Sequence, residues 1–178
     1  GPSVPQSDES ALVVLVPEAE PLVAPHWRQF DRSAIRGMPA HITVLYPFRH
    51  PRELSDVLLE QLRSSLSQIP RFAFELSGIC GFPGVVYLAP HPIERFDALA
   101  REVATWFPES RPYGGAFADP VPHLTVAQEP PAVSLAEVST QLLLDAAPLL
   151  PIPCRADRVA LAIKRAGQWS VGPRFSLA

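Results

Sequence analysis

The sequence predicts an α+β protein of two similar halves, with a sheet from each half facing the other across a cleft. Two observations carry that expectation. The tetrapeptide His41-Ile42-Thr43-Val44 returns as His123-Leu124-Thr125-Val126. The order strand, helix, loop, motif strand, helix, strand runs from Ala11 to Ser77 and again from Val85 to about Arg155. Side chains alternate between the faces of a strand, so in each motif the His and the Thr share one face and the aliphatic residues take the other. One face then carries chemistry while the other feeds a core. With five His and four Thr in the chain, random placement gives two His-x-Thr pairs with a likelihood on the order of half a percent. The repeat is a signal.

Each element follows from its own pattern. Ala11 to Val16 is an aliphatic run rich in β-branched residues and stopped by Pro17, as a buried strand is. From Glu18 to Phe30, Leu22, Val23, Trp27 and Phe30 recur at helical spacing, with acids in front and Arg28 near the end. A loop over 31–40, holding Arg36, Gly37 and Pro39, leads into the strand His41 to Tyr46, which Pro47 ends. Leu54, Val57, Leu58, Leu62, Leu66 and Ile69 trace an apolar stripe that predicts a helix from Pro51 to Ile69. Phe72, Phe74 and Leu76 alternate with polar neighbours, the period of a half-buried strand, and Gly78 to Gly84 should break it. Val85 to Ala89 is the next strand, stopped by Pro90. Ile93, Phe96, Leu99, Ala100, Val103 and Phe107 form a second helical stripe. A long loop, Glu109 to Pro122, contains Tyr113-Gly114-Gly115 and Phe117 and precedes the strand His123 to Ala127. Ser134 with Glu137 three residues on opens a capping-box helix over Leu135 to Ala146. The remaining chain turns at Ala166-Gly167, which predicts a hairpin of Arg158 to Lys164 with Trp169 to Leu177.

An apolar fraction of 47% and a mean hydropathy of +0.11 exclude a disordered chain. One domain over 11–178 is expected, made of pseudo-repeats 11–84 and 85–178. Residues 1–10 read as a flexible N-terminus in which Gly1-Pro2-Ser3 resembles the remnant of a cleaved tag. The 22 prolines, far above the usual ~5%, fall between apolar runs and punctuate them. A net charge of −3 and a pI of about 5.9 leave no broad basic surface, which argues against tight binding of long nucleic acid and leaves a nucleotide or an RNA end as partner. Cys80 and Cys154 lack ligand spacing and read as reduced thiols. With no basic N-terminal start and no long apolar run, the expectation is a cytoplasmic monomer with no membrane partner.

Two imidazoles, each with an ordinary pKa near ~6.5, are a natural pair for taking a proton from one atom and giving one to another at neutral pH. Thr43 and Thr125 would donate hydroxyl hydrogen bonds to non-bridging phosphate oxygens, which suits in-line displacement at a phosphodiester. A lone His at a strand start is ordinarily a structural residue, and the matched pair is what shifts the balance. A metal site is the other reading of paired His, but neither motif has a second ligand at a suitable offset. No metal and no cofactor are expected. His26, His50 and His91 read as surface residues.

The two motifs and the duplicated layout resemble the two-histidine (2H) phosphoesterases, and among them the bacterial 2′-5′ RNA ligase and RNA 2′,3′-cyclic phosphodiesterase group. The likeness spans nearly the whole chain. It includes Pro39-Ala40 before the first motif and Tyr46-Pro47-Phe48 after it, Val86-Tyr87-Leu88 in mid-chain, and Tyr113-Gly114-Gly115 with Phe117 before Pro122-His123. The resemblance implies a bilobal fold of two mainly antiparallel sheets with helices outside, and a metal-independent hydrolase that cleaves or reversibly ligates 2′,3′-cyclic or 2′-5′ phosphodiester linkages. His41, Thr43, His123 and Thr125 would be catalytic. Arg36 is a candidate phosphate clamp, and Tyr87, Tyr113, Phe117 and Trp169 are candidate base-stacking residues or core. Tyr46 falls on the face opposite His41 if its strand is regular. A nucleotide-binding module with vestigial catalysis would keep the same motifs.

Overall fold

The computed structural model describes residues 8–21, 38–82, 85–108, 122–128, 140–141 and 144–178. The strands are β1 (Glu9–Leu15), β2 (His41–Leu45), β3 (Phe72–Phe82), β4 (Val85–His91), β5 (Leu124–Gln128), β6 (Ile152–Ala156), β7 (Arg158–Arg165) and β8 (Gln168–Ser176). Among the described residues the helices α1 (Asp56–Leu66) and α2 (Glu94–Trp106) join the α+β architecture. The strands form two four-stranded sheets in the orders β2-β1-β7-β8 and β5-β4-β3-β6. Every pairing is antiparallel.

The sheets do not divide along the sequence halves. The first half gives β1 and β2 to one sheet and β3 to the other, whereas the second half keeps β4, β5 and β6 in one sheet and gives β7 and β8 to the other. β3 pairs with β4, and β7 pairs with β1. The reason on the first crossing is local, because only 83–84 separate β3 from β4, and so short a connection makes the two strands hairpin neighbours. At the second crossing a single residue, Asp157, separates β6 in one sheet from β7 in the other. The two lobes are tied together twice by this exchange.

Leu12, Val14, Val16, Ile42, Leu45, Val159, Leu161 and Phe175 bury one face of the first sheet. Phe96 of α2 packs its edge on Phe72 and Phe74 of β3, with ring centroids 5.1 and 4.9 Å apart. Phe48 meets Phe107 in the same edge-on manner at 5.3 Å. Such pairs add about 0.5–1.5 kcal/mol beyond the area they bury. The hairpin β7–β8 turns at Ala166 and Gly167 with φ of 51° and 76°, the two positive values of a two-residue turn whose twist matches its strands.

Several boundaries differ from the sequence reading. β1 begins at Glu9, so Glu9 and Ser10 belong to the sheet and not to a flexible N-terminus. Both are polar, but each has partners. The Ser10 hydroxyl donates to the Arg49 carbonyl and accepts from the Arg49 N–H, and Glu9 accepts from the Tyr46 hydroxyl and faces Lys164 Nζ at 3.7 Å. α1 starts later than Pro51 because Pro51–Glu53 forms a 3-10 turn and Ser55 is the true cap, accepting from the Leu58 N–H. β3 continues through Gly78 to Phe82, absorbing the irregularity as a bulge between Leu76 and Gly78. β4 runs past Pro90 to His91, in a stretch where it has β3 on one side and is beyond its pairing with β5 on the other. Of the helix expected from Glu18, Pro17–Ala19 is a 3-10 turn and helix begins at 20–21; the remainder lies outside the described residues. Helix appears at 140–141 and 144–146 within the one expected over Leu135 to Ala146.

The stripe on α1 is narrower than the sequence suggests. Leu62 and Leu66 are fully buried, whereas Val57 is 68% exposed, because at 3.6 residues per turn Val57 lies about 140° round the helix from Leu62. Urea unfolding should therefore show Leu62→Ala losing about 2–5 kcal/mol and Val57→Ala changing stability by no more than about 0.5 kcal/mol. Equal losses would mean that the helix face is misassigned.

Candidate active site

His41 opens β2, the edge strand of the first sheet, and His123 immediately precedes β5, the edge strand of the second. These two edges touch. Both imidazoles and both Thr side chains are half-buried, while Ile42 and Leu124 between them are completely buried on the opposite faces. Val44 is buried as expected; the Val126 side chain is outside the described residues.

Register explains how the repeat works. Leu12 pairs with Leu45 and Val13 with Thr43, so Val44 is skipped; Val86 pairs with Ala127 and Tyr87 with Thr125, so Val126 is skipped. The fourth residue of both motifs is thus the extra residue of a β-bulge, a device that re-aims the side chains around it. The bulge also corrects the reading of Tyr46. Alternation through a regular strand would put it opposite His41, but the bulge brings it round to the His41 face. There its hydroxyl donates to Glu9 and its ring lies 6.2 Å from Trp169. Trp169 is partly buried against this cluster.

His41 has a defined tautomer. Its Nδ1–H donates to the Pro39 carbonyl at 2.8 Å, which makes Nε2 the nitrogen that accepts a proton. Burial is the main influence on its pKa and lowers it; the Pro39 bond opposes that, His123 lowers it further, and Glu20 raises it. The net direction is below the ordinary histidine value. Glu20 also anchors the strand entry, since its carboxylate accepts from the Ala40 N–H at 2.8 Å.

On the second sheet, Tyr87 is buried and its ring stands edge-on to His123, with centroids 5.4 Å apart. Cys80, Tyr87 and Thr125 lie opposite one another across β3, β4 and β5 and therefore share a face. Burial, then Cys80, holds the Tyr87 phenol above its ordinary pKa. Cys80 is exposed and Cys154 buried, both as free thiols, and burial pushes Cys154 up to about 12. Register brings Cys80 to the site and the turn after β1 brings Glu20; nothing in their local sequence signals either. Arg36, Tyr113 and Phe117 lie outside the described residues. Among the described residues no three His, Cys, Asp or Glu side chains gather as metal ligands, and no helix is long and apolar enough to cross a membrane.

The sequence profile described as the 2′-5′ RNA ligase superfamily matches residues 15–168. A Geobacillus kaustophilus (strain HTA426) protein, GK0864, which carries a provisional phosphoesterase name, is 24% identical over 141 residues, covering 75% of this chain and 76% of that protein. The fold is shared with E. coli LigT complexed with 3′-AMP, at a TM-score of 0.61 and 17% identity, over 97% of this chain and 99% of that one. It is also shared with TT0787 of Thermus thermophilus, at a TM-score of 0.61 and 19% identity, over 94% and 97%.

The electrostatic coupling of the two imidazoles has a direct readout. Ring-proton NMR should place the His41 titration below the ordinary value of 6.5, and His123→Ala should move it upward by removing a like charge while the burial remains. An unchanged His41 midpoint in that variant would show that the two rings do not sense each other.

Proposed function

This chain belongs to the 2′-5′ RNA ligase superfamily, and we propose that it is a metal-independent phosphoesterase that hydrolyses, or reversibly ligates, 2′,3′-cyclic phosphate or 2′-5′ phosphodiester linkages of RNA ends or small nucleotides. The observation that supports this most is the meeting of two edge strands, one opening at His41 and the other just after His123, with His41 electrostatically coupled to His123. The nucleotide found with E. coli LigT, 3′-AMP, is the kind of monoester that opening a cyclic phosphate would leave.

In this reading His41 is the base. Its lowered pKa keeps it neutral, and its Nδ1–H is committed to Pro39, so Nε2 takes the proton from the attacking water. The water oxygen bonds to phosphorus as one ring P–O bond breaks. His123, as imidazolium, gives its proton to the departing sugar oxygen, and the sum is one phosphomonoester with no net gain or loss of protons at the two imidazoles. Ligation follows the same path with a nucleotide hydroxyl in place of water: its oxygen bonds to phosphorus, the same ring P–O bond breaks, and the product is a phosphodiester. Thr43 and Thr125 donate to the non-bridging oxygens as negative charge builds on them. Tyr87 positions His123 through its ring edge. Arg36, Tyr113 and Phe117 complete the proposal as phosphate- and base-contacting residues, and the working form is a cytoplasmic monomer.

The test is turnover of nucleoside 2′,3′-cyclic monophosphates and 2′-5′ linked oligonucleotides. Activity should follow a bell-shaped pH profile whose acid limb lies below the ordinary histidine value, because His41 must lose its proton to act. His41→Ala or His123→Ala should each cost at least about a hundredfold, which is about 2.7 kcal/mol, and the double variant should fall little below the worse single one. Thr43→Ala and Thr125→Ala should cost less, since each removes one neutral donor. EDTA should have no effect. Activity lost to EDTA and restored by a divalent ion would overturn the mechanism, and micromolar binding without turnover would favour a binding module.

A further inference from the structure

The first sheet holds a second cluster that the mechanism does not use. A cavity of about 510 Å³ is lined by Leu15, Pro39 and Ala40, next to His41, and by Arg155, Arg158 and Arg174. Glu18, Glu20 and Asp157 also line it. Two of these acids are engaged, Glu20 with the Ala40 N–H and Asp157 with Arg155 at 3.4 Å. Among the described residues no carboxylate lies within ion-pair distance of Arg158 or Arg174, and both side chains are exposed.

Register places these two arginines on the catalytic face. Thr43 pairs with Val13, Val13 with Ala160, and Ala160 with Arg174, a row that crosses all four strands. Residues directly opposite share a face, so Arg174 is on the face of Thr43. Arg158 is two residues from Ala160 and shares its face. Leu15 pairs with His41, and continuing the β1–β7 register by two residues sets Arg158 opposite Leu15. At about 4.8 Å per strand step, the backbone of Arg158 stands about 10 Å from that of His41 and that of Arg174 about 14 Å from Thr43. Arginine carries its guanidinium on a long stem, so from these spans both groups can meet a phosphate one step along a nucleotide from the one at His41 and Thr43.

We infer that this cavity is a second anion subsite, in which the guanidinium groups of Arg158 and Arg174 hold a phosphate on the 5′ side of the nucleotide whose phosphate reacts between His41 and His123. The inference rests on the phosphoesterase reading for the position of the reacting phosphate. Guanidinium is suited to the task because its planar fork meets phosphate oxygens two at a time. Glu18, in the turn after β1, lines the same cavity.

Calorimetric binding of three ligands tests this without needing turnover: adenosine 3′-phosphate, adenosine 3′,5′-bisphosphate and the 3′-phosphorylated dinucleotide of adenosine. The wild-type chain should bind the bisphosphate, the dinucleotide or both at least about tenfold more tightly than the monophosphate, with a log-log salt slope steeper by about one. Gain with the bisphosphate alone would identify a terminal phosphate as the ligand, and gain with the dinucleotide an internal diester. In Arg158→Ala/Arg174→Ala the ratio between two-phosphate and one-phosphate ligands should fall to about one, and Arg158→Lys/Arg174→Lys should restore part of it. No advantage for either two-phosphate ligand in the wild type, or an advantage that survives the double Ala variant, would overturn the subsite. An arginine-dependent advantage in a chain that turns over no cyclic phosphate would leave the subsite standing and remove the catalytic reading instead.

Discussion

The site depends on two sheet edges lying against each other. An edge strand exposes unpaired backbone and is ordinarily shielded from further pairing. Here β2 and β5, the two motif strands, are both edges, and they meet without merging the sheets. What holds them there is the exchange of β3 and β7 between the lobes, because a strand fixed in the other half's sheet leaves each lobe little freedom to move alone. The cleft is a consequence of connectivity as much as of side-chain packing.

Within that frame, the backbone does much of the aiming. A bulge at the same point of each motif, Val44 and Val126, breaks the two-residue alternation just after the Thr. The His and Thr stay on the cleft face, and in the first lobe the residues beyond the bulge change sides, which is how Tyr46 reaches Glu9. Burial then sets the charge state. Taking His41 out of water disfavours its imidazolium, and a second imidazole nearby disfavours it further. The hydrogen bond to Pro39 and the field of Glu20 oppose this without reversing it. The arrangement has a stability cost at low pH, because the unfolded chain binds a proton at His41 more readily than the folded one; stability should fall as pH drops below the ordinary histidine value.

Local pattern carried most of what the sequence reveals. The His-x-Thr repeat, the alternation of Phe72, Phe74 and Leu76, and the Ala166-Gly167 turn each state their structure within a few residues, and the structure has them. Pairing between distant strands is not written locally. The sequence order suggests that each half makes its own sheet, whereas β3 and β7 cross over, and no periodicity distinguishes those outcomes. Polar residues at the start of β1 read as a tail because their partners, Arg49, Tyr46 and Lys164, lie far along the chain. Val57 matches a helical stripe by its spacing, but it lies to one side of the buried line of Leu62 and Leu66. Arg158 and Arg174 are ordinary strand residues until the register sets them in line with Leu15 and Thr43.

The central claim is that one phosphorus sits between His41 and His123. A crystal structure with orthovanadate, which takes up the five-coordinate geometry of in-line displacement, tests it most directly. The account predicts one vanadate with an axial oxygen within hydrogen-bond distance, about 2.7–3.2 Å, of Nε2 of His41, the opposite axial oxygen equally close to His123, and equatorial oxygens on Thr43 and Thr125. Vanadate held by a single imidazole, or bound away from both, would contradict it.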